Sequence, residues 1–114
     1  MKKILVVEDE EIIAKYHKTL LSMVIKGAQV DVAEDEFSAL SLWRDNKYDA
    51  SILDGHFLEM KGYKKEANGI DLARKFAEYR RNPKERFYEG IWIVSGDASH
   101  IIHQAREKGI HAFS

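Results

Sequence analysis

Three short runs of this chain are nearly continuous in apolar residues: Ile4–Val7, Ala50–Leu53 and Ile91–Val94. A strand with one wet face alternates polar and apolar positions. A run that is apolar at both parities is buried on both faces, as in the parallel sheet of an α/β protein. The segment Gln29–Ala33, "QVDVA", does alternate and belongs nearer a sheet edge. A short further strand is expected to begin near His111.

Helical periods fill the gaps between these runs. Ile13, His17, Leu20, Leu21 and Val24 share one face, with His17 expected to be packed in the core. Phe37, Leu40 and Trp43 form the next stripe. Ile70, Ala73, Phe76, Ala77 and Arg80 form a third, ended by Asn82–Pro83. Ala98, Ile101, Ile102 and Ala105 form a fourth, stopped at Gly109. Trp43 and Phe76 read as core, and "RRNPKER" as a solvated loop. Strand and helix alternate, which implies a doubly wound α/β fold with right-handed crossovers. At 114 residues the chain suffices for one domain, 1–114, around one core.

Composition narrows the function classes. The formal net charge is −1, so no basic field argues for direct nucleic-acid binding. The chain has no cysteine, which removes disulfides and thiolate metal sites and fits a cytoplasmic location. No apolar run is long enough to span a membrane, and no signal-peptide pattern is visible.

In an open parallel sheet, ligands bind beyond the C-terminal ends of the strands. The first strand runs out at Glu8 and Asp9, the third at Asp54, and the fourth at Ser95 and Gly96. Three carboxylates and a hydroxyl therefore share one edge. Carboxylates this close repel unless one takes up a proton or a cation intervenes. A hard divalent ion, Mg2+ foremost, resolves the conflict with oxygen ligands. Glu10 and Glu11 are expected to start a helix, where negative charge suits the dipole.

"KKILVVEDEE", "YDASILDGH" and "IWIVSGDA" together resemble the three motifs of the response-regulator receiver domain of two-component signalling. The likeness runs from residue 2 to residue 114. It implies a flavodoxin-like receiver fold with strand order 2-1-3-4-5. It also implies that Asp54 accepts a phosphoryl group from a histidine kinase or phosphotransfer protein. Glu8, Asp9 and the backbone carbonyl of His56 would hold Mg2+ with Asp54. Ser95 would bind a phosphoryl oxygen, with Gly96 leaving room beside it, and Phe113 would occupy the aromatic switch position. Such a domain is no enzyme apart from self-catalysed phosphotransfer and autodephosphorylation.

Three departures accompany the resemblance. Leu58 stands where the family usually has proline. The loop from Gly55 to Asn68 is longer than usual and reads as an irregular lid or specificity element carrying Lys61, Tyr63, Lys64 and Lys65. The family's lysine on the last strand and its fifth helix do not appear before Ser114, and Lys108, assigned to the fourth helix, does not replace that lysine. Without a last helix the sheet is expected to expose Ile4 and Val6 and to leave its last strand open to pairing. The chain should then form a homodimer or a domain-swapped oligomer. His100 and His103 have a helical spacing that a metal could use, but read as exposed surface histidines. Two other functions stay open. One is a degenerate receiver that docks partners without phosphorylation. The other is a Mg2+-dependent aspartyl phosphatase, for which Asp9 and Glu11 have the required spacing.

Overall fold

The computed structural model describes residues 2–58, 60–62, 65–80, 86–96 and 99–114. Tyr63, Lys64, Asn82–Pro83, the rest of the segment 81–85, and Ala98 lie outside the described residues. Strand β1 (Lys3–Val7) leads to helix α1 (Glu11–Val24), then β2 (Gln29–Ala33), α2 (Glu36–Asp45) and β3 (Ala50–Asp54). Two short strands follow, β4 (His56–Leu58) and β5 (Glu66–Asn68). The chain continues through α3 (Gly69–Arg80), β6 (Ile91–Val94), α4 (Ser99–Glu107) and β7 (His111–Phe113). A five-stranded sheet has the order β2-β1-β3-β6-β7, and every pairing in it is parallel. The fourth and fifth strands expected from sequence are β6 and β7, so the expected order holds. The alternating strand, β2, is an edge.

The two parities of β1 explain its apolar run. Leu5 and Val7 enter the larger core with Leu53, Phe76, Ile91, Ile93, Ile101 and Ala105. Trp43 of α2 stacks on Phe76 of α3 at 4.2 Å between ring centroids, and its Nε1 donates to the Phe76 carbonyl at 3.0 Å. The opposite parity, Ile4 and Val6, forms a smaller core with Val30, Leu21, Ile25 and Val32.

That smaller core corrects an expectation. Ile4 is 3% exposed and Val6 is fully buried, because α1 packs over β1 and β2. The open part of this face lies further across the sheet. There Trp92 of β6 and Phe113 of β7 are 46% and 48% exposed and meet edge to face at 6.2 Å. On α1 only Ala14 is fully buried, and His17 is half-buried beside Tyr16 rather than enclosed.

The last strand is also less open than expected. Arg106 of α4 donates from Nε and Nη2 to the Ala112 carbonyl at 3.1 and 2.8 Å. A guanidinium fork thus blunts one pairing position on β7. Lys108 lies in the turn just after α4, not within it.

The long segment after β3 is not an irregular loop. β4 and β5 pair antiparallel, with His56 opposite Asn68 and Leu58 opposite Glu66. Phe57, a β4 residue, is buried in the larger core and anchors the hairpin to the domain.

Candidate functional site

Strand register builds the site. Val7 lies opposite Leu53, and Asp54 lies opposite Val94. The residues that follow, Glu8 after β1 and Ser95 after β6, therefore arrive on either side of Asp54. Glu8 is fixed by its amide, which donates to the Ala33 carbonyl at 3.0 Å. Its Oε2 accepts from the Glu10 amide at 3.2 Å, just before α1 begins. Asp54 Oδ1 accepts from the Gly55 amide at 2.8 Å.

One carboxylate oxygen from each of Glu8, Asp9 and Asp54 lies within 4.8 Å of the others. Glu8 is only 5% exposed, Asp54 is half-buried and Asp9 is exposed. Burial pushes the Glu8 carboxyl up to about 8, reinforced by its hydrogen bond with Asp9 and the charge on Asp54. Asp54 is also raised, by burial first and by the Asp9 charge. Hydrogen bonds from Glu8 and from the Gly55 and His56 amides oppose that rise. Acids this close repel unless one of them holds a proton. A divalent cation relieves the same conflict and takes oxygen ligands, so the donor set suits such an ion.

The other expected residues frame this cluster. Ser95 is 2% exposed and follows β6, and its amide donates to the Phe113 carbonyl at 2.9 Å. Gly96 is exposed, and a Cβ added there would meet nothing within 4 Å. His56 opens β4 with its side chain exposed. Phe113 ends β7 on the half-open face, its ring against Trp92.

Two glycines at the base of the hairpin escaped the sequence reading. A Cβ on Gly55 would sit 2.7 Å from Ser95 Oγ, and one on Gly69 would sit 2.6 Å from the Asp54 carbonyl oxygen. The Gly69 amide donates to the Gly55 carbonyl at 3.0 Å and closes that base. Their signal was position alone: one follows Asp54 directly, and the other opens the next helix.

At its far end the hairpin is tied to the β2–α2 connection. The Lys61 amide donates to Asp35 Oδ2 at 2.7 Å, and Lys61 Nζ pairs with Glu34 at 2.8 Å. Asp35 Oδ1 meanwhile accepts from the Ser38 amide at 2.8 Å and caps α2. Burial alone would raise Asp35. The bonds from Ser38 and Lys61 outweigh it and hold the carboxyl below the usual range.

A family model for the response regulator receiver domain matches residues 4–113. The chain belongs to this family. The receiver is similar to a response regulator receiver domain protein from Clostridium thermocellum, with 23% identity and a TM-score of 0.73 over 99% of this chain and 80% of that one. It is also similar to a response regulator protein from Burkholderia pseudomallei whose structure holds a phosphorylated aspartic acid and a calcium ion. That likeness has 22% identity and a TM-score of 0.74, over 99% of this chain and 58% of that one. A third similar structure is the receiver domain of a sensor histidine kinase from Pseudomonas aeruginosa, with magnesium in its active site cleft. It shows 19% identity and a TM-score of 0.70, covering 99% of this receiver and 83% of that chain. No curated protein matches the sequence. The receiver is thus a module of two-component signalling built on the flavodoxin-like fold. Among the described residues no helix is long and apolar enough to cross a membrane.

Proposed function

We propose that the receiver accepts a phosphoryl group on Asp54 from the phosphohistidine of a histidine kinase or phosphotransfer protein. The observation that carries this reading is the gathering of the Glu8, Asp9 and Asp54 carboxylates within 4.8 Å at the C-terminal edge of the sheet. A carboxylate oxygen of Asp54 attacks phosphorus as the P–N bond to the donor imidazole, which carries a proton on its other ring nitrogen, breaks; this leaves an acyl phosphate on Asp54 and a neutral imidazole on the donor. Glu8, Asp9, Asp54 and the His56 carbonyl would hold Mg2+, which supplies charge neutralisation for the phosphoryl oxygens when bound. The similar proteins with magnesium or calcium and a phosphorylated aspartate support that choice of ion class.

Ser95 follows β6 at this edge, and Gly96 leaves open space beside it. A phosphoryl group on Asp54 would draw the Ser95 hydroxyl toward it. Because the Ser95 amide is bonded to the Phe113 carbonyl, that pull is transmitted to the end of β7. Phe113, half-exposed beside Trp92, is placed to change the surface that a partner reads. A second copy of the chain is one such partner, given the half-open Trp92–Phe113 face and the exposed α1 side chains Ile12, Tyr16 and Met23.

The phosphatase reading loses support at its second acid. Glu11 lies on the exposed surface of α1 and pairs with Lys15 at 3.3 Å, away from the acidic cluster. Docking without phosphorylation would leave the buried Glu8 without a chemical reason. The test is incubation with Mg2+ and a small phosphodonor such as acetyl phosphate, read by intact mass. Gain of one phosphoryl group that is lost in Asp54→Asn supports the assignment; gain in that variant, or none in the native chain at long times, overturns it.

A further inference from the structure

The geometry points to a second metal site, formed by the imidazoles of His56 and His100, that takes a borderline divalent ion such as Zn2+. The two side chains come from different elements. His56 is the first residue of β4, two positions after Asp54, and His100 is in the first turn of α4. Their ring centroids are 6.2 Å apart, tilted by 43°. Both side chains are exposed, so no apolar packing explains why they converge. His103, one turn further along α4, instead pairs with Glu107 at 2.9 Å.

The spacing fits one ion between two rings. Zinc sits about 2.0–2.1 Å from an imidazole nitrogen, which places two ligating rings with centroids about 5–6 Å apart. The observed separation of 6.2 Å lies just above that range, and both residues can close the difference by side-chain rotation at the surface. Water would complete the coordination. Imidazole ligands select Zn2+, Ni2+ or Cu2+ over Mg2+. The pair is therefore chemically distinct from the carboxylate cluster, which offers oxygen alone.

Such an ion would tie the start of α4 to the strand that leaves the acceptor. Ser95 lies in the connection between β6 and α4, so the tie spans the segment carrying that hydroxyl. Binding should then stiffen the side of the site opposite Glu8.

The test is a Zn2+ titration by calorimetry in millimolar Mg2+, with thermal unfolding alongside. The expected result is Zn2+ binding that raises the unfolding temperature. His56→Ala and His100→Ala should each weaken that binding about tenfold or more. His103→Ala and Asp9→Ala should retain it. Because both histidines are exposed, unfolding of the metal-free variants should match the native chain. The proposal is overturned if either His56→Ala or His100→Ala binds Zn2+ like the native chain, or if Asp9→Ala abolishes binding and places the ion among the carboxylates.

Discussion

The Ser95 amide donates to the Phe113 carbonyl at 2.9 Å, joining the hydroxyl residue beside the acceptor to the exposed aromatic at the end of β7. Gly55 packs against the other side of Ser95, where a Cβ would come within 2.7 Å of the hydroxyl oxygen. Backbone and side chain of Ser95 are thus held by two different elements. Gly55→Ala should push Ser95 out of place. We expect a loss of about 1–3 kcal/mol by urea unfolding, typical of overpacking a buried site, and slower phosphorylation by a small donor. Native stability and rate in this variant would remove Gly55 from the argument.

Asp9 is the exposed member of the acidic cluster. Asp9→Ala should weaken Mg2+ binding tenfold or more, roughly 1.4 kcal/mol. Calorimetry or intrinsic fluorescence reads this directly, and unchanged affinity would contradict the assignment of Asp9 as a ligand.

The buried Glu8 carboxyl makes stability depend on pH. Its folded value of about 8 lies above the ordinary 4.5, so the folded chain holds the proton that the unfolded chain releases. Its favourable contribution is complete below about 4.5 and is lost as pH rises through about 8. In EDTA, urea unfolding should therefore show stability falling as pH rises from about 4.5 to about 8. Glu8→Gln should flatten that slope. Mg2+ binding should release a proton and tighten over the same interval, seen as a buffer-dependent calorimetric heat.

Asp35 serves two elements at once, capping α2 through Ser38 and holding the hairpin through the Lys61 amide. Asp35→Ala should cost about 1–2 kcal/mol, the usual loss of a cap, and should speed hydrogen exchange at the Lys61 amide. Lys61→Ala removes an exposed, solvent-screened pair with Glu34 and should leave stability nearly unchanged.

Trp92 and Phe113 leave a half-exposed aromatic pair on the sheet face that α1 does not reach. Light scattering at high micromolar concentration should show the 114-residue chain self-associating, and Trp92→Lys should reduce it. A stable monomer with cooperative unfolding would count against this face as a homotypic surface.

The sheet was legible in the sequence because burial on both faces leaves a local mark. Ile4–Val7 and Ile91–Val94 can be read as strands without knowing their neighbours, and the parallel order then places Glu8, Asp9, Asp54 and Ser95 on one edge. The acid cluster followed from strand ends alone. Residues far apart in the chain decided the rest. That Ile4 and Val6 are covered depends on where α1 lies, not on their own apolarity. The segment after Asp54 is a hairpin because Phe57 finds the core and Lys61 finds Asp35, neither visible in a lysine-rich stretch. The Ala112 carbonyl is occupied because Arg106 folds back from α4. His56 and His100 meet because the β3–β6 register brings the start of α4 beside β4. Periodicity records which face of an element is buried. What covers that face is set by packing between elements, and only the tertiary structure fixes it.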